Sequence, residues 1–115
     1  MLICTLYSTV GDEVTYRIAL LLSRYRLSVK ELVEALELRQ PHVSHKLAKL
    51  RKYGCVSHKR EGRSVFYEMQ KPCRDIIMAG DALWRELRPE HKREWKEDLD
   101  RLKGCVSNLA ARTLN

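Results

Sequence analysis

The chain has 115 residues, with 22 Lys or Arg against 15 Asp or Glu, and a formal net charge of +7 at neutral pH. That length suits one domain with a modest core, and apolar runs such as Ile18 to Leu22 exclude global disorder. The same runs fall well short of the ~20 apolar residues a membrane-spanning helix needs.

Met1 to Val10 is apolar, with Leu2, Leu6 and Val10 at helical spacing. It has no basic leader and no small-residue cleavage site, so it reads as a helix, not a secretion signal. A break near Gly11-Asp12 precedes a second helix running to about Tyr25, with Val14, Ile18, Leu21 and Leu22 on its apolar side and Asp12 as its cap. Ser28-Val-Lys-Glu31 matches a capping box, in which the hydroxyl accepts from the third helical N–H and the Glu reaches back. The short helix it opens carries Val29, Leu32, Val33 and Leu36 on one face. Glu37 to Arg39 make a tight connection, and Gln40-Pro41 start the next helix, where proline is tolerated in the first turn. Val43, Leu47 and Leu50 form its apolar stripe, His42, His45, Lys46, Lys49 and Lys52 its other side, and Gly54 its stop.

Two extended runs follow, Cys55 to Arg60 and Arg63 to Met69, joined at Glu61-Gly62, and they predict a β-hairpin. Lys71-Pro72 ends it. A helix from about Cys73 to Arg88 carries Ile76, Ile77, Gly80, Leu83, Trp84 and Leu87 on one side, and Pro89 interrupts it. The last helix, about Glu90 to Arg112, spaces Trp95, Leu99, Leu102, Val106 and Leu109 by four, three, four and three residues. So regular a seam suggests a surface for a partner helix.

All of the net charge lies between Arg39 and Arg63. That stretch holds eight basic residues (Arg39, Lys46, Lys49, Arg51, Lys52, Lys59, Arg60, Arg63) and one acid, Glu61, while the rest of the chain has 14 of each sign. His42, His45 and His58 fall in the same stretch. A charge run is commonly a solvated face. Here, though, the charges sit on one amphipathic helix and one hairpin tip, which follow two helices and a capped short helix. That order is a winged helix-turn-helix, a mainly α fold with a β-hairpin wing (α+β). Its polar helix face suits the major groove of double-stranded DNA and its hairpin the flanking backbone or minor groove.

These segments resemble the ArsR/SmtB family of winged-helix repressors. Residues 11–18 (Gly-Asp-Glu-Val-Thr-Tyr-Arg-Ile) are similar to the family's G-D-P-T-R-L-R-I. Residues 40–47 (Gln-Pro-His-Val-Ser-His-Lys-Leu) resemble its recognition helix Q-P-x-V-S-R-H-L, and residues 59–67 its wing R-R-E-G-R-x-V-Y-Y. The likeness runs from Gly11 to about Met69 and implies a homodimeric repressor acting on an inverted-repeat operator, while the want of a secretion signal makes the reducing cytoplasm, with free thiols, the default location. First and last helices would form the dimer interface, here Leu2 and Leu6 with Trp95, Leu99, Leu102, Val106 and Leu109. Gln40, His42, Ser44 and His45 are the candidates for base-edge contact. Lys46, Lys49, Lys59, Arg60 and Arg63 suit phosphate or minor-groove contact. Arg39 stands where the family has a Ser cap; it forgoes an N-cap acceptor and offers a phosphate contact instead.

Neither familiar metal site of the family carries over. Its arsenic-binding E-L-C-V-C-E-L reads Arg26-Leu-Ser-Val-Lys-Glu-Leu32 here, with Ser28 and Lys30 in place of both thiolates. Its D-x-H…H-x-x-H pattern, aligned on Asp75, meets Ile77 and Arg88 and keeps only His91. The four cysteines, 4, 55, 73 and 105, include no C-x-x-C pair. Cys4 and Cys105 would approach if first and last helices packed, and with Cys73 they could hold As(III) or another thiophilic ion. The alternative is that they are small core residues, the reading given to Cys55. No cofactor is required, and no phosphate loop, nucleophile elbow or apolar carboxylate pair points to an enzyme. A regulator that responds to oxidation or has no inducer, and a winged domain that binds another protein, are the competing functions.

Overall fold

A computed structural model of the chain describes residues 11–114. The expected first helix, with Leu2, Cys4 and Leu6, lies outside that range. Asp12 caps helix α1 (Glu13–Arg24) as expected: its carboxylate accepts from the Thr15 N–H at 2.8 Å and from the Thr15 hydroxyl at 2.7 Å. Ile18, Ala19, Leu21 and Leu22 of α1 are fully buried, so this helix runs through the centre of the core. Strand β1 (Leu27–Ser28) follows, too short for any alternating pattern to have announced it. Helix α2 (Val29–Leu36) opens on the capping box, with the Ser28 hydroxyl accepting from the Glu31 N–H at 3.2 Å and the Glu31 carboxylate from the Ser28 N–H at 2.9 Å.

Helix α2 has no basic residue in its own last turn, and its final carbonyls are served from elsewhere. Arg17 of α1 donates to the Leu36 carbonyl at 3.2 Å, and Arg101 donates to that of Ala35 at 2.7 Å. Asp98, 1% exposed, holds both guanidinium groups, Arg17 through two bonds of 2.8 and 3.0 Å and Arg101 at 2.6 Å. Cations at a helix C-terminus complement the macrodipole, and a shared carboxylate makes their burial tolerable. Glu37 then leaves α2 in the left-handed region (φ 54°).

Helix α3 (Gln40–Lys52) starts at Gln40-Pro41 with no side-chain cap from Arg39, in line with the sequence. Its stripe is buried as expected, with Val43 and Leu50 at 0% and Leu47 at 2% exposure. Gly54 (φ 72°) turns the chain into the hairpin of β2 (Val56–Glu61) and β3 (Ser64–Met69). All pairs are antiparallel, in the order β1-β3-β2. Pairing of Glu61 with Ser64 moves the turn one residue on from the expected Glu61-Gly62, to Gly62-Arg63. The reason is Gly62, whose positive φ of 62° suits the first position of a primed two-residue turn.

Helix α4 (Lys71–Leu87) begins two residues earlier than expected, because Pro72 is accommodated in its first turn. Helix α5 (Pro89–Cys105) starts one residue before the expected Glu90, at the interrupting proline, and ends well before Arg112. Gly104, Ser107 and Asn108 are poor helix formers, Val106 is extended, and the chain resumes as a 3₁₀ turn, Leu109–Arg112. That break lets Thr113 bridge to Tyr25, so the tail returns along the chain beside β1.

Much of the regular seam of the last helix packs within the chain. Trp95, Leu102 and Val106 are buried in its own core, and Leu99 and Leu109 pack half-buried against that core. Trp95 also receives the guanidinium groups of Arg24 and Arg85 over its ring, at 5.2 and 5.6 Å from the centroid. Periodicity identified an apolar face correctly, and α2 and α4 of the same chain cover much of it.

Candidate nucleic-acid interface

Burial of Val43, Leu47 and Leu50 fixes the roll of α3 and thereby which side faces water. Gln40, His42, Ser44 and His45 are all exposed on that outer side, together with Ala48 and Arg51. These short polar side chains stand along the first two turns, the part of a recognition helix that enters a groove. Six of the eight basic residues of the stretch, Arg39, Arg51, Lys52, Lys59, Arg60 and Arg63, are exposed. Lys52 lies 5.6 Å from the centroid of Tyr53, itself 43% exposed at the helix end.

Lys46 and Lys49 are placed differently. Both turn toward the N-terminus of α1, where the Asp12 carboxylate lies 3.4 Å from Lys46 Nζ and 3.7 Å from Lys49 Nζ. Burial works against ionisation of Asp12, but the Thr15 N–H and hydroxyl and the Lys46 charge outweigh it and hold its pKa below the ordinary carboxylate value. Asp12 therefore stays charged and presents an intramolecular competitor for two of the expected phosphate contacts. Sequence spacing puts these lysines on the polar side but gives no sign of Asp12, 34 residues away from Lys46.

The wing tip carries Lys59, Arg60 and Arg63 on either side of the Gly62-Arg63 turn. Its one acid, Glu61, is paired with Arg26 through bonds of 2.7 and 3.0 Å. The Arg26 hydrogen bonds lower the Glu61 pKa and raise that of Arg26. Arg26 is a residue that sequence reasoning missed; it precedes the basic stretch by 13 positions and only the fold brings it to the tip. Behind the tip the His58 and Tyr67 rings stack at 5.8 Å between centroids, holding the two strands together.

The thiols divide between separate surroundings. Cys55 and Cys73 are both buried, and their thiols lie in hydrogen-bonding contact. Burial first, and then the neighbouring Cys73, push Cys55 up to about 11. Cys105 donates to the Leu102 carbonyl at 3.4 Å, and burial followed by Glu34 raises its pKa. Among the described residues no group of three or more His, Cys, Asp or Glu could hold a metal ion. Cys73 thus meets Cys55, whose core assignment holds, instead of Cys105; Cys4 lies outside the described range.

An exposed basic helix packed on a two-helix support, with a basic hairpin tip beside it, defines a winged helix-turn-helix domain. The chain belongs to the arsR family of bacterial regulatory proteins, whose family model matches residues 13–58. It is 39% identical over 64 residues to the arsenic resistance transcriptional regulator ArsR1 of Pseudomonas putida, covering 55% of this chain and 50% of that protein. It is 33% identical over 67 residues to the biofilm growth-associated repressor of Agrobacterium fabrum, covering 58% and 57% respectively. The match thus spans about half the length of these curated relatives. Reduced HlyU from Vibrio cholerae superposes with a TM-score of 0.57 at 31% identity, over 73% of this chain and 85% of that one. Among the described residues no helix is long and apolar enough to cross a membrane.

Proposed function

We propose that this chain is a transcriptional repressor that binds double-stranded DNA as a homodimer, with α3 in the major groove and the β2–β3 tip on the flanking backbone. The observation that carries the reading is the exposure of basic and hydrogen-bonding side chains on α3 and the wing tip while the remainder of the chain is charge-balanced. Both curated relatives are regulators by name, one of arsenic resistance and one a biofilm repressor. Gln40, His42, Ser44 and His45 would read base edges, and Arg39, Lys59, Arg60 and Arg63 would contact phosphates, with Lys46 and Lys49 joining on release from Asp12. Two-fold symmetry would then require an inverted-repeat operator with half-sites about one helical turn apart.

Among the described residues, α4 offers an exposed apolar surface for self-association. Leu83 and Leu87, one turn apart, are 64% and 63% exposed, and Met78 is 36% exposed. The exposed Leu83–Leu87 pair on a charged helix fits a second copy better than water. The described residues do not fit a metalloid site, since Cys73 and Cys105 have different neighbours and no three-ligand group exists among them. We therefore propose repression without assigning As(III) or another thiophilic inducer.

Titration of a labelled duplex at ~50 and ~200 mM salt tests the reading. Six or more phosphate contacts per complex predict a loss of about 10³ in affinity over that range. Absence of duplex binding at the lower salt would overturn it in favour of a protein-binding winged domain.

A further inference from the structure

The wing is held by a side chain from the far end of the sequence. Phe66, the only phenylalanine in the chain, sits in β3 opposite Lys59 of the wing tip and Ser28 of β1. The guanidinium groups of Arg26 and Arg112 both stack on its ring, with Cζ 4.6 and 4.9 Å from the centroid. Arg112 goes further. Its Nη1 donates to the Glu31 carboxylate at 2.9 Å and to the Arg26 carbonyl at 3.2 Å. Glu31 is the acid of the capping box that starts the helix-turn-helix. One guanidinium thus touches the helix-turn-helix, the wing strand and the short segment between α1 and β1.

Backbone pairing fixes the tail that delivers it. The Arg26 N–H donates to the Arg112 carbonyl at 2.9 Å, the Leu114 N–H to the Arg24 carbonyl at 2.8 Å, and Tyr25 bridges to Thr113. Arg26, gripped in this way, reaches Glu61 at the tip. The consequence is both mechanical and electrostatic. Val56 and Met69 anchor the base of the wing in the core, but the sheet joins the wing to β1 through only two residue pairs, Leu27 with Tyr67 and Ser28 with Phe66. Planar cation–aromatic stacking and charge-assisted bonds add stiffness where the ladder is short. The Arg26 guanidinium also cancels the acid that would otherwise repel a phosphate approaching Lys59, Arg60 and Arg63.

We propose that residues 109–114 act as a strut that sets the pose of the wing, with Arg112 and Arg26 as positioning residues for DNA docking. Neither arginine needs to touch DNA. The proposal rests on the DNA-binding reading for its functional part, while its mechanical part stands on the contacts within the chain. It predicts that losing Arg112 disables the wing's share of binding and leaves that of α3.

The test combines two readouts on the full chain. Amide hydrogen exchange of Arg112→Ala should be roughly tenfold faster at the β1–β3 and β2–β3 pairs and unchanged in α3. Arg112→Lys, which keeps the charge but not the planar stack, should fall between Arg112→Ala and the parent. Binding to a random-sequence duplex of about 24 base pairs is then followed against salt. Each phosphate contact contributes ~0.9 to the logarithmic salt slope, so losing the three wing-tip contacts should lower it by about 2.7 per protomer. In a Lys59→Ala, Arg60→Ala, Arg63→Ala background, Arg112→Ala should cause no further loss. Unchanged wing exchange in Arg112→Ala would overturn the strut. Faster exchange with an unaltered salt slope, or an equal affinity loss in both backgrounds, would overturn its role in docking. Failure of the parent chain to bind the duplex would remove the DNA reading, and exchange alone would still decide whether the tail is a strut.

Discussion

Replacing Glu94 by Gln should change how stability depends on pH. Glu94 on α5 faces Glu13 and Arg17 of α1 and Asp98 of its own helix; Arg17 Nε is 3.9 Å from its carboxylate. Burial, a hydrogen bond shared with Glu13 and the charges of Glu13 and Asp98 outweigh the pull of Arg17 and raise its pKa from 4.5 to about 7. The folded chain therefore keeps a proton there that the unfolded chain has already lost, so stability falls as pH rises from about 4.5 to about 7. At ~1.4 kcal/mol for each tenfold in proton affinity, the full effect would be about 3 kcal/mol. The Glu94 side chain is 28% exposed, and screening reduces the expected value to about 1–2 kcal/mol. The carboxamide introduced by Glu94→Gln would keep a hydrogen bond to Glu13 without titrating. Urea unfolding at about pH 5 and about pH 8 should show Glu94→Gln close to the parent at the lower pH and about 1–2 kcal/mol more stable at the higher, near ~1 M in midpoint for a chain of this size. Parallel pH profiles for the two proteins would refute the shared-proton account.

Three further outcomes follow from the same structure. Asp98→Ala strands the guanidinium groups of Arg17 and Arg101 and should cost about 3–5 kcal/mol, read as a fall in thermal midpoint large enough to threaten folding at about 37 °C. Arg39→Ser supplies the missing N-cap of α3, so it should stabilise the fold by ~1 kcal/mol while lowering the salt slope of duplex binding by ~0.9; a gain in stability with no change in slope would show that Arg39 makes no phosphate contact. Cys55, buried and with a pKa of about 11, should resist iodoacetamide in the native protein at about pH 8 and react on unfolding, as followed by mass spectrometry.

Local rules carried the reading furthest where the structure itself is local. The Asp12 cap, the Ser28–Glu31 box, the Pro41 start and the Val43-Leu47-Leu50 stripe all depend on residues within a few positions of one another, and each is present. Errors of one or two residues at Gly62 and Pro72 arose because a glycine or proline narrows a boundary without fixing the side on which it falls. The larger difference concerns α5. Trp95, Leu102 and Val106 show an apolar face, but spacing says nothing about what covers it, and here much of the cover is the same chain.

What sequence could not show is the set of long-range polar contacts. Arg17 and Asp98 are 81 positions apart, and Arg112 and the Arg26 carbonyl 86. No periodicity links such pairs, so the support of α2 and the wing's attachment to the tail were invisible. The exposed basic side chains of α3 and the wing tip were legible for the converse reason. The excess charge of exposed cationic side chains on an otherwise amphipathic helix is countable from composition alone. Lys46 and Lys49 are the instructive exceptions, since Asp12 gives them an internal partner.

If α3 and the wing tip form one DNA-docking surface, a bound duplex should perturb the amide chemical shifts of both. Titration of the ¹⁵N-labelled chain with duplex at low salt should move residues 39–46 and 59–63 together, along one binding isotherm, with Asp12 and Thr15 shifting as Lys46 and Lys49 leave the Asp12 carboxylate. Shifts confined to α4 and α5, or movement of α3 with the wing tip unaffected, would contradict it.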